Sequence, residues 1–352
     1  MRMVKYPRMS KRKICCLMMV CMLVVSSVFL SACGKKEKTV SQTLFALDTF
    51  VTVTIRGQEA QEAFDQASKV LQELEETLSR TKEGSEIDRL NHSSEEAPVA
   101  LSQGTYTVLQ SALSWSEKTG GVFDPTIGPV MDVWGFGSDA KRVPDEEEIQ
   151  TALEHVSYTK IHLLSDSRAY VEPDTIVDLG GVAKGYIADV LMSTILEYKV
   201  SRVILDLGGN VCAFDASKEL VIGVISPSDP SLLAAKVNVS SKKKDEVVSV
   251  ITSGAYERYI EVDGVHYGHI MDTKTGKPVE TDLLSATVLT HDGKEGDILS
   301  TVLFALGSEK AVELAKKENI ACILIGQDGT MWVNEDWKES VHAEAGWTIR
   351  YF

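Results

Sequence analysis

The chain has 352 residues, 44% hydrophobic and 25% charged, with 36 Lys and Arg against 51 Asp and Glu for a net charge of −15. This is ordinary globular composition; it excludes a disordered or collagen-like chain and leaves ample length for a core. The acidic balance speaks against nucleic acid as a partner, because no basic face is available to neutralise phosphates.

The first 32 residues stand apart. Six cations (Arg2, Lys5, Arg8, Lys11, Arg12 and Lys13) with no acidic residue among them precede an apolar run over residues 14–30. Leu30-Ser31-Ala32-Cys33 then closes the run with small residues and a cysteine. That order predicts a secretory signal with a lipoprotein cleavage box. The alternative, a single transmembrane anchor, has a run at the lower limit for spanning. On the lipoprotein reading residues 1–32 are the signal peptide, Cys33 carries the lipid (palmitate among its acyl chains), residues 33–42 are a polar tether and 43–352 form one domain. Loss of the six cations takes the net charge from −15 to −21. Anionic lipid would repel such a body, so a covalent lipid explains membrane attachment better than a basic surface does. The expected location is the outer face of the cytoplasmic membrane. Cys15, Cys16 and Cys21 fall in the signal, and the remaining Cys212 and Cys322 sit beside apolar residues. Two buried free thiols are expected there in preference to a single bridge.

Residues 43–55 alternate and carry Phe50, Val51, Val53 and Ile55, which predicts a strand. Residues 59–79 place Phe64, Ala67, Leu71, Leu74 and Leu78 at helical spacing, the mark of an amphipathic helix. Residues 105–118 read as a second helix. Residues 120–137 hold five glycines and two prolines, too many for regular structure throughout. Residues 176–179 and 202–207 read as short strands, each running into a glycine pair, with a helix over 182–198 between them. Further strands are expected at 220–225, 247–252, 256–262, 286–289, 320–325 and 331–333, and helices at 297–306 and 309–318. The order mixes α and β without steady βαβ alternation, so the fold class is α+β or mixed α/β and not a doubly wound sheet.

Several segments carry chemistry. In Val177-Asp178-Leu-Gly-Gly-Val-Ala-Lys184-Gly-Tyr186 a strand end, two glycines and a helix start with a lysine make an anion cradle suited to phosphate. It reads equally as a tight turn with a solvated lysine, and its spacing is neither a Rossmann nor a Walker fingerprint. Asp178-Leu-Gly-Gly recurs as Asp206-Leu-Gly-Gly, by chance or as two strand ends delivering similar turns to one site. Asp297 and Thr301 lie at i, i+4, one helix face, and offer a carboxylate and a hydroxyl to a hard cation such as Mg²⁺. Read alone, Asp297 is also a helix-start aspartate favoured by the dipole. His266-Tyr-Gly-His269-Ile-Met-Asp272 has no zinc spacing; a histidine near an aspartate suits a general base or a satisfied turn histidine. Ser253 with His269 lacks the Gly-x-Ser-x-Gly elbow of a serine hydrolase.

In this order the segments resemble the ApbE-like FAD:protein FMN transferases, a bacterial flavin transferase family once classed as thiamine-biosynthesis lipoproteins. The likeness spans roughly residues 47–306. It rests on Ser85-Glu-Ile-Asp-Arg-Leu-Asn91, Gly120-Gly-Val-Phe-Asp-Pro-Thr-Ile-Gly-Pro129 with Trp134-Gly-Phe136, and Asp178 through Tyr186. Asp206-Leu-Gly-Gly-Asn210, Thr252-Ser-Gly254, His269 through Gly276, and Asp297 with Thr301 add to it. The resemblance implies an α+β fold with FAD as substrate in a central cleft, and Mg²⁺ bound by the Ala183 carbonyl, Asp297 and Thr301. Asp178, Gly181 and Lys184 would lie along the FAD-binding segment, with Val122, Phe123 and Asp124 lining the pocket, Ser253 beside it and Leu47 against the flavin. His269 would be the catalytic histidine, with Asp272 orienting its loop. The implied reaction joins FMN through a phosphoester to a Thr or Ser of an acceptor flavoprotein, such as a subunit of a membrane redox pump, and releases AMP. An Mg²⁺-dependent FAD diphosphatase and a lipid-anchored FAD-binding protein without catalysis are the competing readings. The sequence departs from the family at Leu47-Asp48-Thr49, where Met-Gly-Thr is usual. It departs again at Thr81, where an aromatic is common, and at Asp272-Thr-Lys-Thr-Gly276, where proline usually follows the aspartate.

Overall fold

A computed structural model describes residues 36–137, 141–217, 219–240, 247–256 and 258–352. The signal, Cys33 and the start of the tether lie outside the described residues. Among these residues nine strands pair in the order in which they occur along the chain. They are β1 (Lys38–Ala46), β2 (Thr49–Gly57), β3 (Val200–Leu207), β4 (Asn210–Asp215), β5 (Val248–Gly254), β6 (Leu283–Thr290), β7 (Cys322–Gly326), β8 (Thr330–Val333) and β9 (Thr348–Tyr351). Every pairing is antiparallel except β8 with β9. The alternation of β2 explains its place: Val51, Val53 and Ile55 are buried and the threonines between them are not.

Two of the excursions from this meander build the site. Between β2 and β3 run helices α1 (Ala60–Leu78), α2 (Glu86–Asn91), α3 (Gln103–Thr119), α4 (Gly128–Trp134), α5 (Glu146–Leu153) and α6 (Ala183–Leu196). Between β5 and β6 runs the hairpin Tyr259–Val262/Val265–Gly268 with its following loop. The last helix, α7 (Gly293–Glu318), follows β6 and is broken at Gly307, whose φ of 76° no helix contains. Phe64 and Leu71 of α1, Ile187 and Leu191 of α6, and Ile298 and Val302 of α7 pack with Val53 and Leu205 in the main core. The opposite sheet face buries Val250 and Ile323 against Val224 and Val237 of a three-stranded sheet. A third cluster, with Trp134, Ile149, Ile260 and Met271, joins α4 and α5 to the second excursion.

The mixed α+β expectation holds, and the helices at 59–79, 105–118 and 182–198 fall on α1, α3 and α6. The structure corrects three expectations. Residues 38–42 of the expected tether belong to β1, and the single strand expected at 43–55 is the hairpin β1–β2. Its two-residue turn puts Leu47 and Asp48 at φ of 56° and 54°, the conformation a tight hairpin turn requires. Residues 176–179 form only an isolated bridge at Ile176, not a strand. The two helices expected at 297–306 and 309–318 are the halves of α7. Cys212 and Cys322 are buried free thiols, each pushed up to about 12 by burial. Among the described residues no helix is long and apolar enough to cross a membrane.

Candidate active site

The turn at Asp178–Gly181 owes its shape to side chains from elsewhere. Asn91, at the end of α2, accepts from Val177 N through Oδ1 (2.8 Å) and donates from Nδ2 to Val177 O (3.2 Å). It thereby acts as a one-residue strand partner. On the other side Asp178 N donates to Pro125 O (2.7 Å) and Gly128 N to Ile176 O (3.2 Å). Asp178 Oδ1 accepts from Gly180 N (2.7 Å), and its Oδ2 lies 2.7 Å from Arg80 Nε. Arg80 also reaches Asp132 of α4 (2.7 Å), so one guanidinium ties the end of α1 to α4 and to the turn. A Cβ on Gly181 would lie 2.9 Å from the Phe123 ring and 3.8 Å from Thr301 Oγ1. Glycine there is what lets the backbone approach the cleft floor.

The chain then enters α6, whose first turn has no local side-chain cap. The cap comes from α7: Asp297 Oδ2 accepts from Gly185 N at 3.0 Å. Asp297 is 2% exposed, and its Oδ1 lies 3.6 Å from Lys184 Nζ. A buried carboxylate is stable here because a helix N-terminus and a lysine surround it. Two further bonds fix the helices: Asp189 of α6 accepts from Gly293 N and Lys294 N, both at 3.0 Å. Burial raises the Asp189 carboxyl to about 6. Gly185 and Gly293 permit the approach, since a Cβ on Gly185 would collide with the Gly293 carbonyl. One turn beyond Asp297, Thr301 Oγ1 lies 3.3 Å from Ser253 Oγ at the end of β5.

The second excursion brings His269. Its Nδ1 is 3.1 Å from the Arg258 carbonyl and therefore donates to it. That fixes the neutral tautomer and leaves Nε2 as the basic atom. Burial and the nearby Lys184 and Arg258 cations lower this imidazole to about 4. Arg258 Nη2 in turn donates to Leu47 O (2.7 Å), while Leu47 N donates to Glu75 Oε1 (2.7 Å). Helix α1 and the second excursion thus clamp the β1–β2 turn.

Of the candidate catalytic, FAD-binding and metal residues, all but Asp272 and Asp297 border one cleft of about 1160 Å³. Asp297 stands just behind its wall. Asp272 stands apart: its Oδ1 accepts from Lys274 N (2.7 Å) and Thr275 N (3.0 Å), committing the carboxylate to its own turn. That loop is fastened to the glycine-rich segment by Thr273 Oγ1 to Gly121 O (2.6 Å) and Trp134 Nε1 to Gly276 O (2.8 Å). Asp124 borders the cleft, but both its oxygens serve the loop, accepting from Thr126 N, Thr126 Oγ1 and Tyr158 N; burial raises it. Arg80, Asn91, Glu75 and Arg258 are site residues that sequence reasoning left without a role. Asn91 closed a quoted motif, but nothing local points from it to residue 177.

The Asp297 carboxylate, the Thr301 hydroxyl and the Ala183 carbonyl are hard oxygen donors of the kind Mg²⁺ takes. Among the described residues no three His, Cys, Asp or Glu side chains cluster as a metal cage.

A family model described as the ApbE family matches residues 47–324. A protein of Treponema pallidum named FAD:protein FMN transferase is 32% identical over 278 residues, covering 74% of this chain and 75% of the relative. A protein of Klebsiella pneumoniae with the same name is 33% identical over 267 residues, covering 74% and 81%. Among solved structures, the ApbE protein of Thermotoga maritima superposes with a TM-score of 0.78 at 29% identity, over 86% of this chain and 99% of that one.

Proposed function

The chain belongs to the ApbE family, and on that footing we propose that it is a transferase, an FAD:protein FMN transferase. One observation carries the reading: Lys184, 3.6 Å from Asp297, shares a single large cleft with Thr301 and His269. A phosphate-facing cation, hard oxygen donors and a neutral imidazole are what splitting a diphosphate with an alcohol requires.

The reaction is a displacement at the FMN-side phosphorus of FAD. Such a step depends on positioning and on charge neutralisation more than on covalent chemistry by the protein. The Gly180–Gly181 turn lets the backbone and the positive end of α6 come close to the diphosphate. Lys184 adds a full charge, and Asp297 holds that lysine in place. Ala183, Asp297 and Thr301 would hold Mg²⁺, which when bound offsets charge on phosphate oxygens. His269, its Nδ1 tied to a carbonyl, presents Nε2 to take the proton of the attacking hydroxyl, a role worth ~10²–10⁴-fold. Val122 and Phe123 line the cleft and exclude water along part of it.

The lipoprotein-type leader supports attachment through Cys33 to the outer face of the cytoplasmic membrane. Subunits of membrane redox pumps, with a Thr or Ser to modify, are the acceptors such a position suits. The test is incubation with FAD and Mg²⁺, with and without the flavin-free acceptor subunit, followed by intact-protein mass spectrometry and AMP assay. Transfer predicts an FMN-sized mass gain on the acceptor and AMP release that depends on it. AMP release at the same rate without acceptor makes the protein a diphosphatase, and bound FAD with no AMP makes it a carrier.

A further inference from the structure

Two spaces meet at His269. Beside the main cleft lies a chamber of about 200 Å³ lined by Asp48, Thr49, Lys184, Gly208, Arg258 and His269. Asp48, Lys184, Arg258 and His269 border both spaces, while Thr49 and Gly208 belong to the chamber alone. Two hairpin tips make its far wall, the β1–β2 turn and the β3–β4 turn. Gly208, at φ 67°, keeps the space between them open, because a Cβ there would collide with Thr49 Oγ1.

In phosphoryl transfer the attacking and leaving oxygens lie roughly in line, on opposite sides of phosphorus. A dinucleotide filling the main cleft leaves its AMP half on the cleft side. The attacking oxygen must then come through the shared wall at Lys184 and His269, and the chamber is the space behind that wall. Its volume accommodates one small side chain with its backbone, and not a nucleotide. Its outer rim suits a protein. Phe45 and Phe50, 72% and 68% exposed and paired edge to face at 5.7 Å, flank the turn that bears the exposed carboxylate of Asp48. Exposed aromatics beside a functional opening mark a contact surface, and the carboxylate offers an acceptor to backbone N–H groups.

We propose that this chamber is the port through which the acceptor protein presents its hydroxyl side chain, and that Thr49 and Gly208 select the acceptor without touching FAD, with Asp48 on the rim the two spaces share. The assignment rests on the transferase reading above. In the step it serves, the acceptor Oγ–P bond forms as the P–O bond to AMP breaks, its electron pair leaving with AMP. The Oγ proton passes to His269 Nε2 and then to solvent.

The first test uses the full chain carrying Thr49→Cys, treated with methyl methanethiosulfonate with and without saturating FAD and Mg²⁺, and mapped by peptide mass. FAD should leave the modification rate of position 49 within about twofold, because FAD does not enter the chamber. The capped protein should bind FAD as before but label the flavin-free acceptor subunit at least about tenfold more slowly. Protection of position 49 by FAD of more than about tenfold, or unslowed labelling by the capped protein, overturns the port. Phe50→Ser is the second variant, chosen because that side chain is 68% exposed and borders neither space. It should raise the KM for the acceptor about tenfold with the KM for FAD within twofold; the reverse pattern assigns the rim to FAD. Wild-type protein that labels nothing while releasing AMP sinks the transferase reading, whereas protection of position 49 by FAD sinks the port alone.

Discussion

The tetrapeptide Asp-Leu-Gly-Gly occurs at residues 178–181 and 206–209 and folds into two different turns. Both begin alike: the aspartate Oδ1 accepts an N–H two residues on, Gly180 at 2.7 Å and Gly208 at 3.1 Å. That local bond is what aspartate brings to any turn. There the likeness ends. Gly208 and Gly209 take φ of 67° and 94° and reverse the chain into β4, while Gly180 and Gly181 stay out of the left-handed region and lead into α6. The divergence comes from distant partners. Arg80 takes the second oxygen of Asp178 and Asp297 caps the helix that follows, whereas after Gly209 the chain finds β3 to pair with. Both turns reach the same site, as the repeat suggested, but they are not similar turns. The first borders the main cleft beside Lys184. The second shapes the small chamber behind His269.

That division orders the expected effects. Asp297→Ala removes the cap of α6 and the anchor of Lys184 together. AMP release with acceptor present should fall by about 10²–10³-fold, and wild-type labelling by this variant would take the first turn out of the chemistry. His269→Ala should cost about 10²-fold in transfer while FAD affinity, read by equilibrium dialysis, persists. Labelling at an undiminished rate would remove the proton-acceptor role. Arg80→Met leaves Asp178 and Asp132 without their shared cation. We expect a loss of about 2 kcal/mol in denaturant unfolding, less than a fully buried pair because Asp132 is half exposed, together with a raised KM for FAD. Asp206→Ala removes only the local bond of the second turn, so about 1 kcal/mol of stability and an unchanged KM for FAD are expected.

The last effect is in pH. His269 is held near 4 against an ordinary value near 6.5, so its Nε2 stays unprotonated well below neutrality. Between those two values the unfolded chain binds a proton that the folded one does not. The group therefore costs stability progressively as pH falls through 6.5, and the cost is complete below about 4. Thermal unfolding of wild type and His269→Gln at pH 7 and pH 5 checks the sign: the wild type should lose more on acidification than the variant.

Much of the frame is legible in the residues themselves. The spacing of Phe64, Leu71 and Leu78 writes α1, the i, i+4 offset of Asp297 and Thr301 puts both on one face of α7, and the alternation of Val51, Val53 and Ile55 writes β2. Each is a relation within a turn or two of chain, where periodicity and geometry are the same thing. The Leu47–Asp48 turn escaped because Leu47 is no turn former and Asp48 lacks the following glycine that marks a hairpin turn, within a β-rich stretch that reads as one strand. The segment at 176–179 looked like a strand because it is apolar and extended, yet a single asparagine side chain replaces the neighbouring strand.

The sequence by itself determined α1, α3, α6 and the two halves of α7, most strands, the two aspartate-initiated turns and the residue types gathered at the cleft, while the short helices α2, α4 and α5 went unread. The tertiary structure alone decided which carboxylates are available to the cleft. Asp272 commits Oδ1 to its own turn and Asp124 divides its oxygens between Thr126 and the distant Tyr158 N, whereas Asp297 reaches from α7 to the start of α6. It also decided that Arg80, Asn91 and Arg258 belong to the site. Their partners lie tens to hundreds of residues away, and hydrogen bonds over such separations are fixed by packing and not by any pattern a linear chain can display.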